Sequence, residues 1–211
     1  MTDLINYSGL ILTAVLAHLI AVVSPGPDFI LCVQNSLTST RKVGIATAVG
    51  FGAGICVHIA YCLAGIGALI ASSILLFNTL KIAGGLYLMY IGFCSLMSKT
   101  GAPTSIETTQ KTLTIFQAFR MGFFTNALNP KATLFFLSIY SVLITPSTPK
   151  VVIGFVSGIF VLDTILWFSI VATILTEARL RSIFERGQTA LNRTCGILLM
   201  MLGLSITMSK K

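Results

Sequence analysis

Charge is what this sequence has least of. Only 9% of its 211 residues are Asp, Glu, Lys or Arg, where a soluble domain carries about 25%. With 55% hydrophobic residues and a mean hydropathy of +0.93, a solvated globular surface is excluded and an integral membrane protein is indicated. The net charge of +8 would suggest nucleic acid for a soluble protein. Here the basic residues sit at the ends of apolar runs, as positive-inside topology requires, so no nucleic-acid partner is expected.

Catalytic signatures are missing as well. There is no Gly-rich loop closed by Lys-Ser/Thr, no serine elbow with a histidine partner and no HExxH helix. ATP drive and hydrolytic chemistry therefore drop out; the chain is not read as an enzyme, and no cofactor is implied. The five cysteines (Cys32, Cys56, Cys62, Cys94 and Cys195) lie in apolar segments without metal-ligand spacing. They read as small packing residues, not as a disulfide framework or metal centre. A membrane thiol–electron carrier would want a cysteine in each broken span, and the fourth span has none. The N-terminus lacks a basic n-region and cleavage site, so Thr2, Asp3 and Asn6 are read as leading into a retained first helix.

What is present is a pair of interrupted apolar runs. Span 1, about 8–37, is broken by Ser24-Pro25-Gly26-Pro27-Asp28. Pro25 and Pro27 have no N–H, so the helical ladder loses donors at two nearby points. In lipid, such a break is tolerated only against protein or a water-lined cavity, and a charge beside it marks a candidate site. Glycine-rich span 2 covers 44–71, and span 3 covers 74–97. Span 4, about 113–144, is broken at Asn126-Ala-Leu-Asn129-Pro130-Lys131. Span 5 covers 151–175 and span 6 covers 191–208. The polar stretch 99–112 is the natural midpoint, and the mixed-charge stretch 177–188 reads as a loop.

The halves resemble each other. Gly50-Phe51-x-x-Gly54-Ile55-x-Val57 recurs as Gly154-Phe155-x-x-Gly158-Ile159-x-Val161, and the break at Pro25 recurs at Pro130. Each half holds three spans, so the copies must run in opposite directions. The expectation is an all-α membrane protein with six transmembrane helices as two inverted three-helix repeats, helices 1 and 4 interrupted at the Pro motifs. Residues 1–211 then form a single transporter domain: repeat 1 about 5–98, linker 99–112, repeat 2 about 113–208. The turns after spans 1, 3 and 5 carry Arg41, Lys42, Lys99, Lys111, Arg179, Arg181, Arg186 and Arg193, against Lys81, Lys150, Lys210 and Lys211 opposite. That bias places the richer loops in the cytoplasm and both termini outside.

At each break the following half-helix offers N–H groups and the positive end of its dipole, an anion site. Pro25, Gly26, Pro27 and Asp28 from one break, and Asn126, Asn129, Pro130 and Lys131 from the other, are the candidate substrate-binding residues. A zwitterion suits them: helix ends and Lys131 for a carboxylate, Asp28 for an ammonium. The structural alternatives are Asp28 as a helix-start residue bonded to backbone donors and Lys131 as a snorkelling anchor. Asp163, midway along span 5, is a candidate proton carrier together with Asp28, and His58 is its rough counterpart in the first half. A structural histidine is an equal alternative for His58, and His18 carries a weaker signal. Arg120 reads as an interfacial anchor. Trp167 and the Phe123, Phe124, Phe135, Phe136 cluster read as packing.

Ser-Pro-Gly-Pro-Asp-Phe at 24–29, Gly85-Leu86-Tyr87-Leu88 with Gly92, and Gly-Phe-Phe-Thr-Asn-Ala-Leu-Asn-Pro-Lys-Ala at 122–132 together resemble the LysE/RhtB family of bacterial amino-acid exporters. The aspartate after Pro-Gly-Pro and the acidic residue ahead of Leu-Trp-Phe in span 5 are most similar to its threonine/homoserine branch. The resemblance implies efflux of small neutral amino acids across the bacterial inner membrane in exchange for protons. Its partners would be the amino acid, protons and the lipid bilayer, with a homodimer among the assemblies such a scaffold permits. Many members carry an acidic residue where this chain has Ile55, which throws proton coupling onto Asp163. A cation or other small-metabolite exporter on the same scaffold is the alternative, with a membrane scaffold as a non-transport third.

Overall fold

In the computed structural model of the chain, residues 2–72, 74–97, 113–145 and 147–208 are described. All regular structure among them is helical. A single turn, α1 (Thr2–Asn6), leads into α2 (Ser8–Val23), and α3 (Pro27–Thr38) follows after the first break. α4 (Arg41–Ser72) and α5 (Ile74–Met97) complete the first half. The second half contains α6 (Ile115–Ala127), α7 (Pro130–Leu143), α8 (Lys150–Thr176) and α9 (Ala178–Met208). The polar stretch 99–112, Pro146, Lys210 and Lys211 lie outside the described residues.

Both breaks have local causes. Ser24 precedes Pro25 and is pushed into extended backbone, φ −63° and ψ 133°. Gly26 is extended too, and Pro27 then opens α3 at the position where a missing N–H costs nothing. The axes of α2 and α3 differ by 55°. At the second break Pro130 opens α7 in the same way, and the Asn129 side chain caps it by accepting from the Lys131 backbone N–H at 2.9 Å. α6 starts at a capping box in which Thr114 and Gln117 satisfy each other's backbone donors.

Segments Arg41–Gly65, Lys150–Thr176 and Arg186–Met208 are long and apolar enough to cross a membrane, and α2 with α3 qualifies as one bent span. Ile82–Met97 and Pro130–Leu143 are apolar but shorter. Among the described residues three to four spans thus meet the length criterion, against the six expected. The interruption at Asn129 divides the fourth run into two helices of 13 and 14 residues, each too short to span alone. One expectation needs correction: residues 178–188 are helical and belong to α9. Glu177 is extended and ends α8. Beyond it, Ala, Leu, Arg and Glu are good helix formers with no proline to stop them.

Small residues set the packing. α5 and α9 run antiparallel, with Gly85 against Gly203 and Gly92 against Gly196; a Cβ on Gly92 would sit 2.6 Å from the Gly196 carbonyl oxygen. α4 lies between α6 and α8, its Gly54 against Asn126 of α6 and its Gly52 against Ile165 of α8. Without a hydrophobic drive between helices in lipid, close backbone approach of this kind supplies the association energy. The interior is aromatic, with Phe51, Phe136, Tyr140 and Phe160 fully buried. Between this core and the two breaks lies a cavity.

Candidate functional site

The cavity is lined from both breaks at once: Ser24, Gly26 and Asp28 on one side, Asn126, Asn129 and Lys131 on the other. Its volume is about 40 Å³, room for about three waters. Phe135, Phe136 and Phe168 form much of the apolar wall, and His18 and Thr164 reach it from α2 and α8. Of the aromatic residues expected only to pack, Phe135 and Phe136 therefore also face this space. Phe123 and Phe124 do not line it.

Lys131 pins the first break. Its ammonium donates to the carbonyls of Ala21 at 3.0 Å, Ser24 at 2.6 Å and Pro25 at 3.3 Å. In an unbroken helix the donor for Ala21 would be the N–H of residue 25, and Pro25 has none. A lysine from the other half thus stands in for the missing donor. Gly26 allows this approach, since a Cβ there would lie 3.1 Å from Lys131 Cδ. The ammonium's three protons all have acceptors in this state.

Asp28, on the first turn of α3, is tied to the second break in return. Asn126 Nδ2 donates to its Oδ2 at 2.8 Å, and Asn129 and Lys131 lie near enough to interact with it. Its Oδ1 is buried and has no partner. Asn126 is itself fixed from behind. Its carbonyl bonds His58 Nε2 at 2.9 Å, while His58 Nδ1 meets the Tyr61 hydroxyl at 2.7 Å and the imidazole stacks on Phe136. Both nitrogens of His58 are therefore engaged, and it does not line the cavity.

Asp163 is placed differently. It does not line the cavity; it receives His18 Nδ1, 2.8 Å from Oδ1 and 3.0 Å from Oδ2. His18 lies between them, 1% exposed, with its ring against Phe135, Phe136 and Phe160.

The LysE type translocator family model matches residues 19–210, which includes both breaks and every residue lining this cavity except His18. The chain belongs to that family. Among LysE type relatives, the threonine efflux protein of Escherichia coli K12 is 26% identical over 203 residues, covering 95% of this chain and 98% of its own length. The homoserine/homoserine lactone efflux protein of Salmonella typhimurium is 27% identical over 184 residues, 85% and 87% of the two chains. The uncharacterized membrane protein YahN of Escherichia coli K12 is 29% identical over 178 residues. No solved structure matches. This is a family of translocators and not of enzymes.

The structure brings Gly26, Asp28, Asn126, Asn129 and Lys131 together around one LysE type cavity, while Pro25, Pro27 and Pro130 shape the breaks. Sequence reasoning underrated His18. The available signal was its position: it lies six residues before the first break, where a titratable group on a membrane helix needs a partner. Thr164 carried no signal and Ser24 only that of the break motif it opens, although both hydroxyls have no partner among the described residues.

Proposed function

We propose that the protein exports a small neutral amino acid of the threonine/homoserine kind across the bacterial inner membrane, by alternating access around the two breaks and in exchange for protons. The observation that carries this reading is the single cavity shared by both break motifs, with the buried, unpartnered Oδ1 of Asp28 on its wall. A carboxylate oxygen there suits a substrate ammonium. The substrate carboxylate would dock at the half-helix N-termini, with Lys131 turning from the α2 carbonyls to meet it. The efflux functions named for the two relatives, from proteins covered almost end to end, support the same substrate class.

Room for about three waters is too little for an amino acid, so the walls must part to admit one. Lys131 ties the two breaks together by hydrogen bonds, beside an apolar contact of Ala17 and Ala21 with Phe135 and Phe136, and both must give way for the walls to part. The antiparallel α5–α9 pairing supports the inverted-repeat arrangement such motion needs. For proton coupling, Asp28 acts from the cavity wall and Asp163 acts through the His18 ring that it binds, with His58 as a bonded support.

The test is growth tolerance and efflux with threonine, homoserine and leucine in a sensitised strain expressing wild type, Asp28→Asn or Lys131→Met. Wild type should protect against threonine or homoserine, and both variants should lose most of that protection. Unchanged efflux by both variants at normal membrane levels would remove these residues from the mechanism.

A further inference from the structure

We propose that His18 is a substrate-contacting residue whose protonation competes with the bound amino group, and that Asp163 positions it for this. The inference rests on the exporter reading above. It begins from an asymmetry in the imidazole. Nδ1 is held by Asp163, which is not on the cavity wall, while Nε2 on the opposite edge is buried and has no partner. A carboxylate accepts from Nδ1–H, so in the neutral ring the lone pair is on Nε2. His18 lines the cavity, and Nε2 is the ring nitrogen left without a partner among the described residues.

The other unpartnered atoms point the same way. Asp28 Oδ1 can only accept, and the Ser24 and Thr164 hydroxyls can accept or donate. The one ammonium at the cavity, that of Lys131, has its protons on the carbonyls of Ala21, Ser24 and Pro25. The cavity in this state therefore offers acceptors. What satisfies several convergent acceptors, one of them a carboxylate, is a substrate ammonium, with His18 Nε2 taking one of its protons and Asp28 Oδ1 another.

Protonation of His18 reverses this. A proton delivered by a hydronium ion from outside forms an N–H bond at Nε2, using the lone pair that held the substrate, while its O–H bond breaks and leaves water. The acceptor becomes a donor, and a positive ring now faces a positive ammonium. Substrate leaves, and on the cytoplasmic side the proton returns to water before the next amino acid binds. The charged ring is accommodated, because Asp163 pairs with it and three phenyl rings surround it, the nearest centroid at 4.4 Å. The other ionisable groups around it are Asp28 of α3, Lys131 and Tyr140 of α7, His58 of α4 across Phe136, and the Cys195 thiol of α9 near Lys131. Of these, Asp28 is the one other group placed to compete for the same ammonium.

The experiment uses the full chain in proteoliposomes with radiolabelled threonine. It compares threonine–threonine exchange, which needs no net proton movement, with uphill transport driven by an imposed pH gradient. In wild type, exchange should fall as the medium is acidified. His18→Gln keeps an acceptor but cannot titrate. It should exchange with affinity weakened about fivefold, with no fall on acidification and no response to the gradient. Asp163→Asn, which no longer fixes the tautomer, should exchange with a displaced pH profile. Gradient-driven transport by His18→Gln with the wild-type pH profile overturns the proposal. So does wild-type exchange affinity in His18→Gln at wild-type melting temperature, which would show that the imidazole does not contact the substrate. If wild type itself moves neither threonine nor homoserine, the exporter reading fails instead.

Discussion

Replacing Lys131 with methionine isolates what ties the first break to the second. The substitution keeps the length and apolar stem of the side chain and removes three donors from the carbonyls of Ala21, Ser24 and Pro25. A bond from a charged donor contributes about 1.5–3 kcal/mol, and a buried carbonyl left without a partner costs about 1–3 kcal/mol. The three bonds share one ammonium, and the 3.3 Å contact to Pro25 is weak. The cavity also has room for about three waters, which recover part of the loss. A net destabilisation of about 3–5 kcal/mol remains after these discounts, equivalent to roughly 10 °C in melting temperature for a chain of this size. Lys131→Arg keeps a charge and donors, but a planar fork cannot converge on three carbonyls as an ammonium does, so it should fall between. The assay is thermal unfolding of detergent-solubilised protein, read as the loss of the monodisperse peak on size exclusion. A Lys131→Met protein melting within about 1–2 °C of wild type would refute the pinning role, because three buried carbonyls cannot lose their donor at no cost.

Three further outcomes follow from the same geometry. Asn126→Ala removes the donor to Asp28 Oδ2 and should lower threonine transport about tenfold at unchanged membrane level, measured as initial efflux rate. Gly196→Ala places a Cβ 2.6 Å from the Gly92 carbonyl oxygen and 2.8 Å from Leu96. The α5–α9 crossing should part at a cost of about 1–3 kcal/mol, whereas Gly158→Ala, with nothing within 4 Å of its Cβ, should not destabilise. Thr114→Ala breaks the capping box of α6 and should cost about 1 kcal/mol. It lies off the cavity wall, so its efflux should stay at the wild-type level.

What the sequence by itself determined is local. Scarce charge placed the chain in a membrane, and Pro25, Pro27 and Pro130 placed the breaks, because a missing N–H acts within a turn of its own position. The course of α5 was legible as well, because no proline interrupts residues 74–97. The helical course of 178–188 was misjudged because charge was read as loop, although helix propensity there is good. What only the tertiary structure decided is which groups meet. Lys131 looked like a group waiting for a carboxylate, yet it caps carbonyls more than 100 residues away in the chain. His18 and Asp163, 145 residues apart, each looked ambiguous alone. No periodicity encodes such pairs. They exist because in a low-dielectric interior an unmatched donor or charge is costly, and helix packing decides which distant partner is within reach to remove that cost.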